Sequence, residues 1–376
     1  MKAKLILILA IYLIINTVSA AHFIVGIVND AKDLTTADDR EVVLWNPING
    51  IQDNLTDIIG VNGNSGSGNV YMIDCELLDN PCNIGDELRI KVLKQGRYLT
   101  SWVNVTVKGG GFDLAENLTL NSPANITSIE VDDDIKLPEN EIDLLTGSTR
   151  TVTCSAVVLE LDKDTLSNIS GEFFSNSSSY FKDEDDNNHH YTNNTCLKNT
   201  NYGNENQTQI NCSFQVQYYA NAETFECKIE LQDNHSITEN KSDYTQINTL
   251  LSISMESVAD FGMVNATSVS DELEINVTNY GNVLINLSVS GYAQNPGDNK
   301  AMNCTLGNTS ISIQYQKYNL TGSTPGITSL SEFENNYKNL TSSPEKNEFN
   351  LAYRRNDTEN FAINKTYWRI YLPAGT

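Results

Sequence analysis

The stretches RTVTCSAVVLEL, residues 150–161, and TFECKIEL, residues 224–231, decide the fold. In the first, Val152, Cys154, Ala156 and Val158 fall on one face; in the second, Phe225, Cys227, Ile229 and Leu231 do. A period of two marks a strand with one buried side. One cysteine on the apolar face of each strand is what a bridge between two packed sheets needs. The same period recurs along the chain. Strands are expected at 22–29, 41–46, 70–78, 87–93, 101–107 and 211–219, bounded by Asn, Asp and Gly clusters. Another pair, 273–278 and 283–290, reads as a hairpin turning at Asn279-Tyr280-Gly281-Asn282. Long amphipathic helical patterns are absent.

Composition narrows the class. The 376 residues carry 24 Lys and Arg against 48 Asp and Glu, a net charge of −24. Such a polyanion is a poor partner for nucleic acid, whose affinity comes mainly from basic side chains on phosphates. Asparagine, at 48, and Ser plus Thr, at 63, supply the polar surface instead of ion pairs. The 39% of hydrophobic residues is enough for several modest cores.

The N-terminus reads as an export signal. Lys2 and Lys4 precede an apolar run from Leu5 to Ile15, and Val18-Ser19-Ala20 offers a small-residue cleavage site. The run is too short to span a bilayer, so cleavage after Ala20 is expected, with a secreted or surface-exposed product. The sequons agree. N-x-[ST] occurs at Asn54, Asn104, Asn117, Asn125, Asn168, Asn176, Asn193, Asn206, Asn211 and Asn234. It occurs again at Asn240, Asn265, Asn276, Asn286, Asn303, Asn308, Asn319, Asn339, Asn356 and Asn364. Random placement would give about 8 rather than 20. Asn104, Asn276 and Asn286 each lie opposite the apolar face of their strand, where a glycan could project.

Seven cysteines without a CxxC argue for disulfides in an oxidising compartment. Cys75 and Cys82 flank a short loop and are expected to close it. Cys154 with Cys227 joins the sheets, and Cys196 with Cys212 closes the intervening loop; the other two pairings of these four stay open. Cys304 is left over.

Chemistry-bearing constellations are few. Asp183 and Asp185 with His189 and His190 are the candidate cation ligands, calcium suiting the carboxylates and zinc the imidazoles. The run lacks the Gly and Glu of an EF-hand, and a solvated acidic loop is the preferred reading. Asp132-Asp133-Asp134 and Asp38-Asp39 are further acidic turns that could hold calcium. The Asn-Gly-Ser loop 62–69 reads as flexible and lacks the Lys of a phosphate cradle. With no G-x-S-x-G or H-E-x-x-H motif, no catalytic residue is assigned, and no cofactor is expected beyond calcium.

The first unit, with HFIVGIVNDAKD, EVVLWNP, IGDELRIKV and DLAENLTL, resembles the transthyretin-like, carboxypeptidase-regulatory class of exported β-sandwich. The remainder, with RTVTCSAVV, YTNNTC, INCSFQVQYYANAETFECKIELQD and DFGMVNATSVSDELEINVTNYGNVLINLSVSG, resembles immunoglobulin-like modules of archaeal secreted surface proteins. The resemblance implies a structural or adhesive surface role and carries over no catalytic residue. The expected organisation is all-β. It runs as a signal peptide (1–20), a transthyretin-like or immunoglobulin-like sandwich (21–122), an immunoglobulin-like sandwich with a long polar insertion at 175–209 (123–256), and a third sandwich (257–376). The closing strand near Tyr367–Leu372 leaves an open edge, so the chain continues or another molecule supplies the next strand. The partners expected are other surface proteins or glycans, with self-assembly through that C-terminal edge. Two competing functions are a lattice or filament subunit built by strand donation and an exported carbohydrate-binding or metal-assisted hydrolytic protein.

Overall fold

A computed structural model describes residues 20–133, 141–305, 309–322, 326, 328–358 and 362–375. The expected leader apart from its last residue, Asp134 and the sequon at Asn308 lie outside the described residues. The described chain is all-β, arranged as three successive sandwich units. Among the described residues no helix is long and apolar enough to cross a membrane.

In the first unit, Phe23–Asn29 pairs antiparallel with Val70–Asp74 and parallel with Phe112–Leu114 and Leu118–Thr119. Facing it is a sheet ordered Asn54–Ile58, Glu41–Trp45, Glu87–Val92, Val103–Thr106. Alternation puts Ile24 and Val28 from one sheet against Leu88, Ile90 and Val92 from the other in one contiguous core. Cys75 and Cys82 are bonded, closing a loop that begins with a single 3-10 turn. The 62–69 loop is not loose. Asp57 accepts the backbone N–H groups of Asn64 at 2.9 Å and Met72 at 2.8 Å, and Asp38 accepts that of Asn69 at 2.6 Å.

The second unit holds the most continuous core. One sheet runs Leu197–Asn199, Gln207–Gln217, Thr149–Leu159, Asn125–Asp132. The other runs Glu141–Ile142, Thr238–Ile247, Thr224–Gln232, Ser167–Ser175, His190–Asn193. Cys154 and Cys227, at the middle of facing strands, are bonded across the gap, and Cys196 is bonded to Cys212. Phe173 packs between Phe214 at 5.8 Å and Phe225 at 4.9 Å. The segment expected as one long insertion, 175–209, instead contributes His190–Asn193 to one sheet and Leu197–Asn199 to the other. Leu197–Asn199 is exposed throughout, and His190–Asn193 buries its adjacent His190 and Tyr191, so neither short edge strand carries an apolar alternation.

The third unit departs further from expectation. Its larger sheet is ordered Ile253–Met255, Leu273–Asn279, Ala362–Ile370, Gln316–Asn319, Lys338–Asn339. The expected hairpin does not form: Leu273–Asn279 pairs with Ile253–Met255 and Ala362–Ile370, whereas Ile285–Val289 pairs with Glu345–Leu351. The two strands lie in different sheets because Val277 and Ile285 bury into the same cluster with Phe349 and Leu351. Asn279, fully buried, fixes the corner: its amide nitrogen donates to Val283 O at 2.8 Å and Ala352 O at 3.1 Å, and its oxygen accepts Gly281 N–H at 2.8 Å. Nor does the last strand present an open edge. Ala362–Ile370 is interior, hydrogen-bonded to Leu273–Asn279 on one side and Gln316–Asn319 on the other.

The core of this unit is divided into three small clusters, around Phe349, Phe333 and Tyr318. Between them lies a buried polar network. Arg369 donates to the Tyr337 hydroxyl at 2.8 Å and to Ser270 O at 2.7 Å, while Tyr337 donates to Glu272.

Two outcomes follow from this packing. A Cβ at Gly171 would sit 2.6 Å from Cys212 Cβ and 2.7 Å from its Sγ, atoms pinned by the Cys196 disulfide. Gly171→Ala is therefore expected to destabilise the second unit by about 1–3 kcal/mol in equilibrium denaturation. With its core subdivided, the third unit should open first, its amides exchanging with deuterium ahead of the strands flanking Cys154 and Cys227.

Candidate functional site

The acid–histidine segment folds on itself. Asp186 Oδ1 accepts the backbone N–H groups of Asn188, His189 and His190 at 3.0, 2.7 and 3.1 Å, and its Oδ2 meets His189 Nδ1 at 2.7 Å. Burial pushes the Asp186 carboxyl up, but these hydrogen bonds outweigh it and hold the group below the usual range. His190 is buried, with Nδ1 2.9 Å from Asp185 Oδ1 and Nε2 3.2 Å from Glu172 Oε2. Asp183 lies apart from them and accepts Tyr180 N–H at 2.8 Å. Of the four candidate ligands, the structure thus brings together only Asp185 and His190, and both ring nitrogens of His190 are already occupied. Asp133 likewise serves the chain, accepting Asp143 N–H at 3.2 Å beside Arg150 at 3.6 Å.

Polar chemistry concentrates instead where the units meet. At the first junction, Ser122 N–H donates to Asp162 Oδ2 at 2.5 Å, Lys32 lies 3.4 Å from Asp162 Oδ1, and Arg97 pairs with Glu239 at 2.9 Å. Behind them stand Glu160, Asp164, Asp233 and His235. Asp164, Asp233 and His235 each offer a ligand atom within 4.8 Å of the others, the one such group among the described residues. Burial, with the charges of Asp164, Asp162 and Asp233, pushes the Glu160 carboxyl up to about 7. A cavity of about 290 Å³ opens beside this cluster, lined in part by Asn121, Asp162, Asp164 and His235.

The second junction is built from amides and aromatic rings. Asn282, buried, donates to Ala220 O at 2.9 Å and Asn248 O at 3.0 Å and accepts Leu250 N–H at 2.8 Å. Its neighbour Tyr280 packs on Tyr218 with ring centroids 5.7 Å apart. A Cβ at Gly281 would lie 2.1 Å from Leu250 O, so only glycine allows this approach. Beside it, Tyr219 and Asn187 of the second unit both donate to Asp357 of the third, and Arg354 lies over the Tyr219 ring at 4.6 Å. Burial and Asp357 push the Tyr219 hydroxyl well above its ordinary range.

The two junctions occupy opposite ends of the second sandwich. Leu159 pairs with Gln207 and Asn125, and Gln232 with Ser167 and Thr238, placing 160–164 and 233–235 at one end. Thr149 pairs with Gln217 and Thr224 with Gln246, placing 147, 218–221 and 248 at the other.

The sequons separate cleanly from the buried amides. Of the nineteen described sequon asparagines none is buried, and the half-buried ones are Asn193, Asn206, Asn211, Asn319 and Asn356. Among the described residues six asparagines are buried, Asn46, Asn121, Asn188, Asn279, Asn282 and Asn347, and none heads a sequon. Cys304, half-buried, has no disulfide partner.

Sequence reading overlooked both junctions. Asp164 and His235 are 71 residues apart, and Asn282 sits in what reads as an ordinary turn. The one local signal was Asp162-Lys163-Asp164 directly after an apolar strand.

No protein-family model matches the chain, and no curated protein sequence matches it. Among solved structures, the major pilin subunit BcpA of Bacillus cereus is 7% identical with a TM-score of 0.33, covering 82% of this chain and 96% of that one. The T6 backbone pilin of Streptococcus pyogenes is 9% identical with a TM-score of 0.28, covering 95% and 93%. The full-length major pilin SpaD of Corynebacterium diphtheriae is 8% identical with a TM-score of 0.27, covering 68% and 72%. Likeness this distant carries no argument about function.

Replacing Asn282 by Ala strips partners from three backbone groups at once. The expected loss is about 2–3 kcal/mol in the unfolding of the third unit. The transition of the second unit should stay in place in differential calorimetry.

Proposed function

We propose that this chain is a non-catalytic, exported surface glycoprotein with a structural or adhesive role, its three sandwiches coupled in line. The observation that carries this reading is the placement of the two junctions at opposite ends of the second sandwich. Tension entering at one junction runs along strands of up to eleven residues to the other, with the Cys154–Cys227 disulfide clamping the two sheets midway. Side-chain bonds to backbone at each junction resist bending, which a rod or stalk requires and a freely jointed chain does not. The exposure of the sequon asparagines supports the glycoprotein part of the reading, because a glycan needs solvent on its nitrogen.

A specific observation also favours assembly by strand donation. Ile285–Val289 pairs on one side with Glu345–Leu351 and, among the described residues, with no other strand. Beside its free edge lies a cavity of about 380 Å³ lined by Leu251, Ile253, Leu284, Ile285 and Leu287. An unpaired edge next to an apolar trough suits an added strand, which would bring main-chain hydrogen bonds and alternate side chains.

Small-angle scattering on the unglycosylated chain tests the in-line reading. The longest strands of the three units, seven, eleven and nine residues, span about 23, 36 and 30 Å, so three units in line reach about 90 Å and give a radius of gyration of about 27 Å. A folded-back arrangement of the same length would give about 21 Å, and that value would refute the reading.

A further inference from the structure

The first junction gathers more carboxylate than its cations answer. Glu160 Oε1 accepts the Asp162 N–H at 2.9 Å, and Asp162 Oδ2 and Asp164 Oδ2 accept from the Asn121 amide nitrogen at 3.2 and 2.9 Å. Asp164 Oδ2 is also 3.1 Å from His235 Nδ1, its Oδ1 accepts from the Asn234 amide at 2.9 Å, and the Asp233 carboxylate lies within 4.8 Å of both Asp164 and His235. Against these four carboxylates stands Lys32, half exposed, which reaches Asp162 alone.

Two carboxylate oxygens in the cluster have nothing to bind. Asp233 Oδ1 accepts the N–H groups of His235 and Ile237, but among the described residues its Oδ2 has no hydrogen-bond partner, and neither does Glu160 Oε2. Both residues are essentially shut off from water, at 2% and 5% exposure. Anionic oxygens buried without a donor are costly, and a native structure tolerates them where an ion answers them.

We propose that this cluster binds one divalent cation of the calcium class. Oxygen donors outnumber the single imidazole, and an all-oxygen set selects a hard cation. Asp164, Asp233 and His235 present ligand atoms that all lie within 4.8 Å of one another, close enough for the carboxylates to share one ion with oxygen distances of about 2.3–2.6 Å. Asp164 and Asp233 supply the central carboxylates, with Asp162 and Glu160 flanking them. His235 orients Asp164 through Nδ1. Asn121, from the segment joining the first unit to the second, holds Asp162 and Asp164 in place through its amide nitrogen. The bound ion therefore ties two loops of the second sandwich at the junction, where Asn121 of the linker bonds to their carboxylates, and the adjoining cavity gives it a route from solvent.

Calorimetric titration of the chelator-stripped full chain with calcium chloride tests the site. The expected result is uptake of one ion per chain, with a dissociation constant of about 10⁻⁵–10⁻³ M. The melting temperature should rise by several degrees at saturating calcium. Asp164→Asn should weaken uptake at least tenfold, and Asp162→Asn, on a more exposed side chain, serves if the first variant folds poorly. Absence of uptake by the parent chain overturns the proposal. So do uptake unaltered in the variants and zinc bound in preference to calcium. Uptake is read from single chains, so its failure leaves the in-line arrangement, read by scattering, standing or falling separately.

Discussion

A chain with twice as many carboxylates as basic side chains must satisfy its buried acids with something other than lysine and arginine, and here the backbone N–H serves. Asp53 accepts the amides of Asp79 and Asn80, Asp57 those of Asn64 and Met72, and Asp298 those of Ala293, Gln294, Asn295 and Lys300. The cluster of amides around Asp298, that of Gln294 foremost, holds its carboxyl down to about 2. Each such contact also closes a loop, so the acidic surplus that looks like solvated surface in the sequence becomes the means by which long polar connections acquire one conformation. The constraint has a limit: a loop offers only so many free N–H groups, and at the first junction Glu160 and Asp233 exceed the supply.

The third unit shows what happens when apolar material is scarce. Instead of one core it has three clusters, and the space between the helix Leu330–Asn336 and the larger sheet is taken by Arg369, Tyr337 and Glu272. Lys317, also buried, lies over the Phe333 ring at 4.9 Å and pairs with Glu334 at 2.6 Å. A buried ion pair contributes little net stability but becomes costly once one partner is removed. This unit is therefore specified by geometry more than by burial. Beside its larger sheet it has two sheets of two strands each, Lys300–Asn303 with Ser310–Ser312 and Ile285–Val289 with Glu345–Leu351, and the latter leaves Ile285–Val289 with a free edge.

How much of this was legible in the residues depends on whether the signal is local. Alternation at 150–161 and 224–231 placed facing strands correctly because burial of one face acts on every second side chain. It could not say which strand pairs with which. Asn279-Tyr280-Gly281-Asn282 has the residue types of a hairpin turn, and the same types equally suit a corner between sheets, since what decides is the burial of Val277 and Ile285 against Phe349. The short strands inside 175–209 were hidden because Leu197–Asn199 is exposed on both faces and the four residues of His190–Asn193 bury two neighbours rather than alternate ones, so neither has a period to read. The junction cluster was invisible for a third reason: its members meet only once strands 149–159 and 224–232 have set their far ends side by side.

The two junctions differ in kind, and the difference bears on how the units are coupled. The second is made of a neutral amide, aromatic faces and a glycine that lets backbone touch backbone; apart from Arg354 and Asp357 at its rim, no ion pair among the described residues borders it. Hydrogen bonds of this type are nearly indifferent to dissolved salt. The first depends on charge: Lys32 with Asp162 and Arg97 with Glu239 are partly exposed pairs, which an ionic strength of 0.15 M screens over about 8 Å. Both joints are held by hydrogen bonds, and the first adds to them ion pairs that dissolved salt weakens. In a chain so built, salt acts on the coupling of the first unit more than on that of the second and third.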